Sequence, residues 1–261
     1  MGALSMPTVV DLALFCAGFL SWAISTLAAG GGSLLIVAAI SFIIGGQMIA
    51  PVITLTSLMA SPARMILLWD QIDWRLVRWY LPGAASGAAS GAALGGWAFS
   101  RAGAQWIELA LALFLLSTLW QYRFGERERS FTMRLPWFVP VSFISGLISA
   151  MVGASGLLAN PFYLNYGLVK EAMLATRAVN SLAIQVVKLI SYGMFGMLTW
   201  PVVRHGLAAG TGAVVAIWLA HHWLQLLSSQ RFRQLAVVVM VLGGLMIVWR
   251  QRHFLTAIFA G

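Results

Sequence analysis

The sequence predicts an all-α polytopic membrane protein built from two pseudo-symmetric halves, and three observations carry that expectation. Of 261 residues, 61% are hydrophobic and only 9% are charged, with a mean hydropathy of +0.88. A soluble domain carries about 25% charged residues, so most of this chain's surface cannot face water. Apolar runs then follow one another along the chain, with arginines concentrated between them. A small-residue break also occurs twice, half a chain apart: Gly30-Gly31-Gly32-Ser33-Leu34-Leu35 and Gly153-Ala154-Ser155-Gly156-Leu157-Leu158.

In the first half the apolar runs cover residues 11–29, 33–46, 47–69, 76–99 and 106–122. In the second they cover 137–152, 156–168, 171–197, 202–226 and 232–249. Spanning the hydrocarbon core takes about 20 helical residues. The third, fourth and fifth runs of each half have that length. The second run of each half is too short and reads as a half-helix or re-entrant segment. No basic residue precedes Arg64, so the first run lacks the charged start of a secretory signal and is expected to stay as a membrane helix.

Each break ends one apolar run and begins the next. Glycine at membrane depth frees backbone N–H and C=O groups that lipid cannot satisfy, so such a break belongs beside something polar. Two breaks at matching positions are the pattern of a repeat-built transporter. The repeats are expected over residues 1–123 and 136–261, joined by a charged linker at 124–135. Other features correspond across the halves: Ile72-Asp73-Trp74 with Leu198-Thr199-Trp200, and Arg64 with Lys188, each late in a third run. Counting the short runs as crossings makes the repeats inverted; not counting them makes them parallel. The positive-inside rule puts the linker in the cytoplasm in both topologies and does not choose between them. Opposed half-helices meeting at mid-membrane favour the inverted arrangement.

The net charge of +9 would suggest nucleic acid in a soluble protein. Here Arg75, Arg78, Arg123, Arg127, Arg129, Arg134, Arg231, Arg233, Arg250 and Arg252 sit mainly between apolar runs, as loop and headgroup anchors do. Cys16, the single cysteine, lies inside an apolar run, so neither a disulfide nor a metal site is expected, and no cofactor is implied. His221 and His222 are adjacent and do not share a helical face. Trp69, Trp74, Trp79, Trp97, Trp106, Trp120, Trp137, Trp200 and Trp249 fall at run ends, as an aromatic belt requires. Glycines at every fourth position from Gly83 to Gly95, with Gly206 and Gly210, predict close helix packing.

The polar residues inside the runs point to a ligand. Arg177, Ser181, Ile184, Lys188 and Tyr192 recur at helical spacing and share a face; Ser57, Ser61 and Arg64 make the matching stripe in the first half. A cation near the bilayer centre costs at least ~2.5 kcal/mol on insertion scales, so it needs a partner or a water-filled cavity. The only acids are Asp11, Asp70, Asp73, Glu108, Glu126, Glu128 and Glu171, and all fall in loops or near run ends. With no deep carboxylate to pair the cations, the negative charge is expected to come from a small anionic substrate. Helix N-termini at the breaks would add N–H donors. The candidate binding residues are therefore Gly31, Gly32, Ser33, Arg64, Gly153, Ala154, Ser155, Gly156, Asn160, Arg177, Asn180, Gln185 and Lys188, with Asn165 and Thr176 nearby. Asn160-Pro161 is expected to remove a backbone donor inside a short helix.

As a set, these residues resemble the TauE/SafE group of membrane permeases. The likeness rests on the break followed by an apolar half-helix in each half, and on Ile72-Asp73-Trp74 with its glycine-rich helix. Ala175-Thr176-Arg177 followed by Tyr192, Gly196 and Trp200 completes it. Ala50-Pro51-Val52 stands where a threonine-serine pair is common, and Asn160-Pro161 has no first-half counterpart. The resemblance implies secondary transport of a small sulfur-containing or carboxylate anion, in either direction and without ATP; a sulfite-like or organosulfonate anion is expected, moved by alternating access between the repeats through the lipid bilayer of a bacterial inner membrane. A homodimer stays open, and no nucleic acid partner is expected. Two alternatives accompany this expectation. An anion channel would share the cations and glycines. Gly153-Ala154-Ser155-Gly156 also matches the GxSG pattern of rhomboid-type intramembrane serine proteases, with His205, His221 and His222 downstream, but nothing ties a histidine to Ser155 as a base. No enzyme activity is expected.

Overall fold

The computed structural model describes residues 6–30, 32–44, 49–98, 103–123, 129–152, 157–194 and 196–252. Among them the first half forms α1 (Met6–Leu27), α2 (Gly32–Ile43), α3 (Ile49–Leu67), α4 (Trp74–Ala98) and α5 (Gly103–Tyr122). The second half forms α6 (Phe138–Val152), α7 (Asn160–Tyr166), α8 (Lys170–Met194), α9 (Trp200–Leu226) and α10 (Ser229–Arg250). The described residues are helical apart from turns and loops, as an all-α polytopic protein requires. α1, α3, α8, α9 and α10 are long and apolar enough to cross a membrane, and α4 and α5 match that length at 25 and 20 residues. α2 and α7 have only 12 and 7 residues, so the segment after each break is indeed a short helix.

Local chemistry sets several ends. Gly167, at φ +107°, closes α7: its N–H returns to the Tyr163 and Leu164 carbonyls, and Leu168 N–H returns to Tyr163, the doubled bond of a glycine C-cap. Ser228 caps α10 by accepting from Arg231 N–H. Pro161 lies in the first turn of α7. A proline there removes an N–H that has no helical acceptor anyway, so it starts the short helix and does not interrupt it. α1 begins at Met6, not near Asp11, which places Asp11 within the helix.

Glycine contacts decide how the helices pair. Val139, Phe143 and Leu147 of α6 press their carbonyls against Gly83, Gly87 and Gly91 of α4, where a Cβ would collide. Gly146 returns the contact against Ala84 and Ala88. Gly18 and Gly212 join α1 to α9 in the same manner, and Gly206 and Gly210 seat Leu55 and Met59 of α3. This is the small-residue packing anticipated for membrane helices, and here it pairs a helix of one half with a helix of the other.

The same contacts give direction. Asp11 meets Arg204 and His205 near the starts of α1 and α9, and Leu55 and Met59 follow Gly206 and Gly210 in order, so α1, α3 and α9 run together. The ordered contacts of α4 with α6 make that pair parallel too. Asp73 N–H bonds Thr176 Oγ1 at 2.9 Å where α4 and α8 begin, and further along Tyr80 stacks on Tyr163, whose hydroxyl accepts from Asn180. Thus α4, α6 and α8 share a direction. Arg64 late in α3 lies beside Arg177 early in α8, while Thr54 reaches Tyr192 at the other end; these two helices are antiparallel. α1 and α3 therefore run the same way with α2 between them, and α6 and α8 do likewise around α7.

Trp69, Trp74, Trp79, Trp120, Trp137, Trp200 and Trp249 are exposed at or near helix ends, consistent with the aromatic belt. The side chains of Trp97 and Trp106 and most of the charged linker, residues 124–128, lie outside the described residues.

Candidate functional site

The end of α1, the start of α7 and the first turns of α8 converge on one carbonyl. Ala29, in a left-handed conformation (φ +54°) just past α1, presents its oxygen to two side chains of the second half. Asn160 Nδ2 donates to it at 2.6 Å, and Arg177 Nη1 donates to it as well. The same Arg177 nitrogen donates to Asn160 Oδ1 at 3.1 Å. The last carbonyls of a helix carry partial negative charge, which favours a guanidinium there. Gly30 follows at φ +128°, where a Cβ would sit 2.6 Å from Arg177 Nη1 and 3.1 Å from both Nη2 and Leu157. Glycine is required on both counts: left-handed backbone and close approach of a charged group.

Arg64 joins this cluster from α3. It is 7% exposed and donates from Nη2 to Thr26 Oγ1 at 3.0 Å, while Thr26 donates to Trp22 O within α1. Its Nε has no hydrogen-bond partner among the described residues. Arg64 and Arg177 thus bond positions three residues apart at the end of α1, Thr26 and Ala29. Among the described residues the ion pairs are Lys170–Glu171, Arg204–Asp11 and His205–Asp11, so no described carboxylate balances either arginine. Long basic side chains near helix ends can snorkel to the interface; the burial of Arg64 and the inward bonds of Arg177 show that neither does. The stripe of Ser57, Ser61 and Arg64 is buried along its length.

The predicted residues do not all meet. Asn160 and Arg177 meet directly, with Arg64 close by. Asn180, one turn further along α8, is buried and donates to Tyr163 OH at 2.8 Å. Gln185 and Lys188 are buried beyond it. Lys188 is eleven positions past Arg177, which on a helix is roughly 16 Å along the axis. Their backbone positions are thus about three turns apart, and Arg177 is turned to the Ala29 carbonyl. Gly31, Gly153, Ala154, Ser155 and Gly156 lie outside the described residues, as do the contacts of Gly32 and Ser33, although Gly32 opens α2.

Two features had no local signal. Asn165 ties the linker to α7: its Oδ1 accepts from Ser130 N–H at 2.8 Å and Phe131 N–H at 3.1 Å, and its Nδ2 donates to Tyr122 OH at 2.7 Å. Tyr122 OH in turn donates to Pro161 O at 2.7 Å. The other is the cluster joining α1 to α9, in which Asp11 accepts from Arg204 Nε at 2.6 Å and lies 3.1 Å from His205 Nδ1. His221 lies 3.1 Å from Gln225. Among the described residues no group of histidine, cysteine and acid side chains is placed to hold a metal.

Comparison with known proteins gives one match. The family model described as "Sulfite exporter TauE/SafE" covers residues 14–247. A search of curated proteins and a search of solved structures found no match.

Proposed function

The chain belongs to the sulfite exporter TauE/SafE family of membrane transporters, and we propose that it carries a small sulfur oxyanion, sulfite or an organosulfonate, through a site at the Arg64–Arg177 pair. One observation carries this reading: two guanidiniums from facing helices bond positions three residues apart at the end of α1, Thr26 and Ala29, with no described carboxylate to balance them. The Ala29 carbonyl offsets only part of a charge, so the pair is complementary to an added anion. Planar guanidiniums bind the oxygens of an oxyanion through paired N–H donors, which suits sulfite and sulfonate alike.

The two halves act as inverted repeats in this account. Support comes from direction: α1, α3 and α9 run against α6, α8 and α4, the members at matching positions. The site then lies where the breaks of the two repeats approach, since Ala29 precedes one and Asn160 follows the other. Rocking of one repeat against the other would open the site alternately. The end bearing the linker, Arg75, Arg78, Arg129 and Arg134 faces the cytoplasm by the positive-inside rule, in a bacterial inner membrane.

The test is sulfite flux into proteoliposomes. A carrier gives saturable uptake that accelerates when unlabelled sulfite is preloaded inside. Flux that neither saturates nor shows counterflow would establish a channel in its place. No flux of sulfite, sulfoacetate or taurine would remove the substrate assignment.

A further inference from the structure

Lys188 is not explained by the arginine site. It is 1% exposed, one of the largest fully buried side chains, and among the described residues its Nζ has no hydrogen-bond partner. It stands roughly 16 Å along α8 from Arg177. One turn before it, Gln185 is 8% exposed, and its carboxamide oxygen is likewise without a partner among the described residues. The spacing of three puts both on one side of the helix. A buried ammonium and a buried amide oxygen left open in one turn are costly in the absence of a ligand.

We propose a second substrate station at Lys188 and Gln185, separate from the arginine pair and selective for a singly protonated oxyanion of the bisulfite class. The chemistry of the two open atoms specifies the ligand. The ammonium has donors only and needs an anionic acceptor; the amide oxygen is an acceptor and needs a donor. An anion that keeps one O–H offers both. A single cation matches a monoanion. Both stations lie on the face of α8 that carries Arg177, Ser181, Ile184, Lys188 and Tyr192. An anion entering at one end of α8 thus meets one station and leaves past the other. This inference rests on the anion-transport reading above, and its test separates the two.

The experiment is calorimetric titration of the purified full-length protein with bisulfite, at a pH where the monoanion prevails. Wild type is expected to bind two equivalents, Lys188→Met one, and Arg177→Met one. Gln185→Leu, which keeps the lysine and its charge, is expected to weaken the lysine station about tenfold for bisulfite. It should leave binding of methanesulfonate, which has no O–H, unchanged; this variant serves if Lys188→Met fails to fold. A wild type that binds one equivalent overturns the second station. So does loss of all binding in both Lys188→Met and Arg177→Met, which would mean a single site. A wild type that binds no anion overturns the transport reading itself.

Discussion

The closeness of Gly30 to Arg177 can be tested by adding one methyl group. In Gly30→Ala the new Cβ would lie 2.6 Å from Arg177 Nη1, at a residue with φ +128°. An ordinary contact needs about 3.4–4 Å between carbons, so the guanidinium must retreat by about 1 Å. That shift breaks or stretches its bonds to the Ala29 carbonyl and to Asn160 Oδ1. Hydrogen bonds to a charged group contribute about 1.5–3 kcal/mol, equivalent to a loss of about 10–150-fold in substrate affinity if they set the arginine's position. The backbone strain itself adds about 1–2 kcal/mol and must be separated out. Gly196→Ala is the control: Gly196 also has a positive φ, +66°, but a Cβ there meets nothing within 4 Å. Gly30→Ala should lose more thermal stability in detergent than Gly196→Ala, which has no clash and no broken bond. Only Gly30→Ala should raise the half-saturating sulfite concentration for proteoliposome uptake by tenfold or more. Equal transport by the two variants would refute the idea that Gly30 is present to admit the arginine.

Other substitutions probe the remaining contacts. Lys188→Met removes a buried unpaired cation and should stabilise the ligand-free protein by at least ~2 kcal/mol, read as a Tm rise of several degrees; a fall would mean that Lys188 is paired. Gly87→Val forces a branched side chain against the Phe143 carbonyl and should cost about 1–3 kcal/mol through overpacking of α4 on α6, whereas Ala89→Val on the exposed face of α4 should melt like wild type. Asn165→Ala strands the Ser130 and Phe131 N–H groups and should cost on the order of 3 kcal/mol, with faster proteolysis at the linker than in wild type.

Much of this architecture was legible because membrane helices write their boundaries locally. Apolar length, the glycine clusters and the tryptophans mark ends without reference to any partner, and α2 and α7 came out short because the runs after both breaks were short. The face of α8 was also readable, since helical spacing alone aligns Arg177 with Lys188. What could not be read was distance along that face relative to the rest of the protein. Shared periodicity put Arg177 and Lys188 in one candidate site, yet they stand three turns apart. Nor does any local pattern say that Gly83 and Gly87 pack on α6 and not on a sequence neighbour, because a small-residue face accepts any close helix. The Asp11–Arg204–His205 cluster joins residues more than 190 positions apart, and an acid near the start of an apolar run looks the same with or without such partners. Asn160-Pro161 was misplaced by a few residues, which moved the proline from a helix start to a helix interior.

The central claim is that the Arg64–Arg177 pair binds the transported anion, and sulfite counterflow in proteoliposomes tests it most directly. Wild type, Arg64→Met and Arg177→Met would be compared at equal amounts of folded protein. The account predicts saturable counterflow in wild type and at least a tenfold loss in each variant, as removal of one charged donor from a bound anion requires. Counterflow at the wild-type rate in both variants would contradict it.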